Sequence, residues 1–149
     1  MDTAILASIT ALALVAIFAV SRRVREGRHA GSRTVALRIT EVCIERDLAD
    51  GRSERATWPA VSEIEVVRTR VRTADGATEF ALIAESGGDE PAGCLVPLGV
   101  GYDDAVVDRL VRLAGFSTAR WSAALDGPVP SRTIVWQRAA GSSGDVSRQ

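Results

Sequence analysis

Three arginines at alternate positions, Arg68, Arg70 and Arg72, give the chain its most suggestive chemical spacing. On an extended strand, alternate residues share a face at intervals of about 6.6 Å, so the three guanidiniums would form an anion-binding or partner-binding stripe. The competing reading is a solvated face paired with Glu79 and Glu85 across a hairpin. Other residue types with chemical potential are sparse. The single histidine, His29, lies in an Arg-rich segment ahead of the folded part, which removes histidine triads and histidine zinc sites from the domain. Cys43 and Cys94 are each flanked by apolar residues and form no C-x-x-C pair; they read as small buried hydrophobes on strands rather than nucleophiles or a disulfide. Asp89-Glu90 and Asp103-Asp104 lack the spacing of a calcium loop, and Gly99-Val100-Gly101-Tyr102 lacks the glycine spacing and lysine of a phosphate loop. No catalytic residue, cofactor site or metal site is predicted. Carboxylate acid–base chemistry is the one enzymatic alternative left open.

The segment that would position the domain in the cell comes first. Thr3 to Val20 reads TAILASITALALVAIFAV, with no charge and no proline. A helix of about 18 residues spans roughly 27 Å, close to the hydrocarbon thickness of a bilayer. A secretory signal would carry its positive charge before the apolar run, but here Asp2 precedes it and Arg22, Arg23, Arg25 and Arg28 follow. Arginines beside a span mark the cytoplasmic side, so the sequence predicts a single-pass anchor with its N-terminus outside and its domain in the cytoplasm. The same four arginines could also meet anionic lipid headgroups. The expected organisation is an anchor over 1–21, a basic linker over 22–32, a folded domain over 33–138 and a disordered tail over 139–149. A net charge of −1 gives no sign of nucleic-acid binding.

Within the domain, short alternating segments separated by turn signals predict antiparallel strands. VALRIT and VCIERD lead to an Asp50-Gly51 turn, SERATW returns, and SEIEVVRTRVRT (62–73) is the longest strand candidate. The Val66-Val67 doublet predicts a bulge where the inward face changes parity. Asp75-Gly76 turns the chain into TEFALIAES, and CLVPL follows. The period then lengthens. Residues 103–115 form the longer predicted helix, with Asp103 as N-cap, an Asp108–Arg112 pair and Gly115 past its end. Residues 117–125 form a shorter helix, and TIVWQR (133–138) a last strand. The fold class is therefore α+β: an N-terminal transmembrane helix, then a small antiparallel sheet or partly open barrel, one long and one short helix, and a final strand. Trp58, Trp121 and Trp136 are expected at core or helix–sheet contacts, with Trp121 the candidate for partial exposure in a peptide groove.

The residues Trp58, Val61, Ile64 and Val66, in the pattern W-x-x-V-x-x-I-x-V, resemble the core of bacterial pleckstrin-homology-like domains. The segment GCLVPLGVGYDDAVVDRLVRLAGF and the terminal TIVWQR are similar to small uncharacterised bacterial, actinobacterial-type single-span membrane proteins. The likeness covers most of Thr34 to Arg138. It implies a binding scaffold rather than an enzyme, with the lipid bilayer and a cytoplasmic or membrane protein as partners. Two features depart from the pattern: Thr40-Glu41-Val42 puts an acid where phosphoinositide binders carry bases, and a strand follows the helices. The expected function is a membrane-anchored, non-enzymatic binding module. An anionic-lipid-binding domain is the first alternative.

Overall fold

Short apolar or alternating segments form seven strands, and the computed structural model places them together with two helices; it describes residues 33–87 and 92–139. β1 (Thr34–Ile39), β2 (Cys43–Leu48) and β3 (Ser53–Thr57) form one antiparallel sheet in that order. β4 (Val61–Arg68), β5 (Glu79–Glu85), β6 (Gly93–Leu98) and β7 (Ser131–Gln137) form a second, ordered β6-β5-β4-β7. Helices α1 (Asp103–Leu110) and α2 (Thr118–Asp126) lie between β6 and β7 in sequence. The molecule is thus a small α+β fold with two antiparallel sheets, and no ladder joins them into one surface. The predicted anchor and the arginines Arg22, Arg23, Arg25 and Arg28 lie outside the described residues, as do Asp89-Glu90 and most of the predicted tail. Among the described residues, no helix is long and apolar enough to cross a membrane.

One core joins both sheets and both helices. Ile44 and Ala56 from the first sheet, and Trp58 just past it, meet Ile64, Val66, Ile83 and Val96 from the second, with Val106 and Leu110 of α1 and Trp121 of α2 completing it. Phe80 and Leu95 project from the opposite face of the second sheet into a smaller cluster with Ala77. Both cysteines are buried, Cys43 on β2 and Cys94 on β6.

Several local expectations need correction. The strand predicted over 62–73 ends at Arg68, because residues 69–78 leave the ladder to form a loop that carries Asp75 inward. Parity changes near Ser62, where the β4–β5 register shifts between Val61 and Glu63, and not at Val66-Val67. A second shift, opposite Ile64 and Glu65, places the extra residue on β7 and lets the neighbours Val135 and Trp136 both turn inward. The helix predicted to be longer stops at Leu110 and is shorter than α2. Beyond it the chain tightens, with Leu113 N–H donating to Leu110 O at 2.9 Å and Phe116 N–H to Leu113 O at 3.1 Å. That turn brings Leu113 and Phe116 against the core. Tyr102 occupies the N-cap position, and the Asp103 carboxylate instead accepts from Gly99 N–H at 2.9 Å. Arg112 pairs with Glu41 at 2.7 Å rather than with Asp108.

The inward face of the first sheet carries a charge. Arg46 shares parity with Ile44 and Leu48 and is 4% exposed. Its Nε donates to Thr34 Oγ1 at 2.7 Å, Nη1 to Glu54 Oε2 at 3.3 Å and Nη2 to Asp75 Oδ2 at 2.8 Å. Thr34 closes the ring by donating its backbone N–H to Asp75 Oδ1 at 2.7 Å and its hydroxyl to Asp75 Oδ2 at 3.0 Å. Glu54 Oε2 also accepts from Leu95 N–H at 2.9 Å, on the unpaired side of β6. Pro97 points its ring nitrogen to the same side and has no N–H to satisfy, which suits an edge strand. Carboxylates therefore occupy the β6 edge at Leu95 and, through Asp103, at Gly99. Gly93 is required where β6 begins: a Cβ there would stand 2.4 Å from Ile83 O.

Removing one member of a buried charge cluster strands the others, at a cost of about 3–5 kcal/mol. Arg46→Met is therefore expected to lower the urea-unfolding free energy by about that amount. Arg112→Met, which breaks the exposed pair with Glu41, is expected to cost less than about 1 kcal/mol. Equal losses in the two variants would contradict the assignment.

Candidate functional site

The chain crosses from the first sheet to the second through Trp58, Pro59 and Ala60. Trp58 is fixed at both ends. Its backbone N–H donates to Val42 O at 3.0 Å, and its indole Nε1 donates to Thr40 O at 2.9 Å. Thr40 in turn holds the β1–β2 turn, its hydroxyl oxygen accepting from Cys43 N–H at 3.0 Å. The indole is 4% exposed and forms part of the core.

Two arginines meet on this residue. α1 carries Arg109 beside its buried stripe of Val106 and Leu110, and the guanidinium carbon lies 4.4 Å from the Trp58 ring centroid. Arg138, just past β7, donates Nη2 to Trp58 O and Nε to Val61 O, both at 2.9 Å. Its guanidinium carbon also stands 5.6 Å from the Trp136 ring centroid. Trp136 is fixed by its own indole N–H, which donates to Ala114 O at 2.8 Å. Neither Arg109 nor Arg138 forms an ion pair with a described residue, and the buried Nε of Arg109 has no acceptor there. Both cations are thus positioned by π faces and backbone carbonyls, which orient a charge without neutralising it. The nearest pairing in sequence is Arg112 with the exposed Glu41, which satisfy one another.

The predicted arginine stripe does not form. Arg68, at the end of β4, directs its guanidinium to Glu79 Oε1 at 2.9 Å and to Gly127 O at the end of α2. Arg70 lies beyond the strand and reaches Val129 O at 3.4 Å, while Arg72 donates to Gly76 O at 3.2 Å. Trp121 is 6% exposed and packs against Phe116, with ring centroids 6.1 Å apart, so it lines no open groove. Arg109 and Arg138 were not singled out by the sequence, since each is one of many arginines and becomes distinctive only through contact with a distant tryptophan. The available clue was local: Arg109 borders an apolar stripe, and Arg138 follows Trp136 at the strand's end.

A shifted carboxyl lies elsewhere. The Ser53 hydroxyl, and then Arg38, hold the Asp47 carboxyl below its ordinary value on the outward face of β2. Among the described residues, no three His, Cys, Asp or Glu side chains gather as metal ligands would. No protein-family model matches the chain, no curated protein matches it, and no solved structure matches it.

The indole N–H and the ring quadrupole are separable contributions. Trp58→Phe keeps a ring beneath Arg109 but loses the donor to Thr40 O. The expected loss in thermal or urea unfolding is about 1–2 kcal/mol, from one hydrogen bond and a weaker cation–π contact. A variant as stable as the parent would show that the corner tolerates a free carbonyl.

Proposed function

We propose that the chain is a single-pass, membrane-anchored, non-enzymatic binding module, related to pleckstrin-homology-like scaffolds, that presents its α+β domain on the cytoplasmic face to a protein partner. The observation that carries this reading is the charge asymmetry around the apolar run: Asp2 before it, and Arg22, Arg23, Arg25 and Arg28 after it. The domain adds support through the Trp58 corner, where Arg109 and Arg138 hold defined positions without carboxylate partners among the described residues. Tethering raises the effective concentration of partners confined to the same membrane surface, so a modest intrinsic affinity suffices. The lipid-binding alternative is weakened where it relied on the stripe, since β4 ends at Arg68 and Arg68 is itself paired with Glu79.

The full chain, tagged at its C-terminus and expressed in bacterial cells, is expected to stay with membranes after alkaline washing. In intact spheroplasts the domain is expected to resist added protease, and to be digested once the cells are lysed. Recovery in the soluble fraction, or digestion from outside, would overturn the anchor or its orientation. Cross-linking in intact cells is expected to trap a protein on the full chain but not on residues 1–32 alone. Equal capture by both would remove the domain from the binding role.

A further inference from the structure

We infer that Arg109 and Arg138 form an oxyanion site at the Trp58 corner, suited to a phosphate group. The inference rests on the reading of the domain as a binding module and adds the chemistry of its ligand; it does not depend on the anchor.

Arg38, Arg46, Arg52, Arg68, Arg112 and Arg132 each have a carboxylate within ion-pair distance. Arg33, Arg55, Arg70, Arg72 and Arg120 have none among the described residues and lie against no ring; Arg109 and Arg138 also have none, but each is set against an indole face. Arg109 is laid on a buried indole at 4.4 Å, and Arg138 is clamped by two carbonyls at 2.9 Å and set over a second indole. Carbonyls and ring faces fix orientation while leaving the positive charge uncancelled. Arg138 spends Nε and Nη2 on its carbonyls, and its Nη1 has no acceptor among the described residues. One residue fixes both side chains, Trp58 holding Arg109 on its ring and Arg138 on its carbonyl.

A guanidinium presents a planar fork of donors that matches phosphate oxygens, and two such charges complement a phosphate dianion better than a single carboxylate. Orientation before binding also removes part of the side-chain entropy cost of capturing the anion. The π contact of Arg109 supplies a reporter, because an anion drawing on that guanidinium alters the surroundings of the Trp58 indole.

The test uses the full chain in phosphatidylcholine nanodiscs, titrated with inorganic phosphate at constant ionic strength while tryptophan emission is followed. The expected result is a saturable change with a midpoint in the millimolar range. Arg138→Gln and Arg109→Gln are each expected to weaken it about tenfold, the loss of one charge-assisted pair. Arg112→Gln, whose guanidinium is already paired with Glu41, is expected to leave it within a factor of about two. Should Arg109→Gln unfold the domain, Arg138→Gln decides alone, because that residue is exposed. A second arm repeats the titration in nanodiscs containing phosphatidic acid. Occlusion of the response there identifies a lipid headgroup as the source of phosphate, whereas an unchanged response identifies a soluble one. Absence of any saturable response, or a response undiminished in folded Arg138→Gln, would overturn the site. Either failure leaves protease protection and cross-linking unaffected, so the binding-module reading is judged separately.

Discussion

A guanidinium enclosed between two sheets is the constraint on which the rest of this domain depends. Arg46 cannot be moved out of water cheaply, so each direction of its fork must end on an acceptor. Thr34, Glu54 and Asp75 supply those acceptors from β1, β3 and the β4–β5 loop. The cluster therefore defines the path of residues 69–78, which would otherwise be a long exposed hairpin end. It also explains why the ladder of β4 is abandoned after Arg68: the loop must turn back far enough for Asp75 to reach the first sheet.

Glu54 extends the constraint to the second sheet. The oxygen that receives Arg46 also receives the Leu95 amide, so one carboxylate links the interior of the first sheet to the edge of the second. Glu85 makes a reciprocal link, accepting the backbone N–H of Thr57. With β3 held against the second sheet at both places, the chain has little freedom at the crossing that follows. Trp58 occupies that crossing, and its indole and backbone are fixed by the β1–β2 turn. The rigid corner is what allows α1 to deliver Arg109, and β7 to deliver Arg138, to defined positions. The proposed site is thus a consequence of how the two sheets are joined.

Period-two alternation made most of the strands legible, while β6, buried at every position, showed as a short apolar run between turn signals. The Asp50-Gly51 and Asp75-Gly76 turns were equally legible, and both glycines adopt positive φ, +85° and +78°. What escaped the sequence were effects set by distant partners. Parity alone places Arg46 on the inward face with Ile44 and Leu48, but the partner that satisfies its charge there, Asp75, lies 29 positions away. The apolar pattern of residues 103–115 continues past the point where the helix ends, since a tight turn presents Leu113 and Phe116 to the core just as a helix would. Arg68, Arg70 and Arg72 have the spacing of a stripe but not the strand to carry it. The Arg109–Trp58–Arg138 arrangement joins three elements far apart in sequence, and no local pattern encodes it.

The most direct measurement is hydrogen exchange at the Leu95 amide, resolved by NMR or by mass spectrometry of short peptides. That amide sits on an unpaired strand edge, so only the Glu54 carboxylate, positioned by Arg46, protects it. Exchange there is expected to be as slow as for the paired amides of β5, limited by global unfolding, and to accelerate markedly at Leu95 in Glu54→Leu, which has no acceptor, while β5 remains protected. Rapid exchange at Leu95 in the unaltered protein, at the rate of an open edge, would contradict the claim that this cluster joins the sheets.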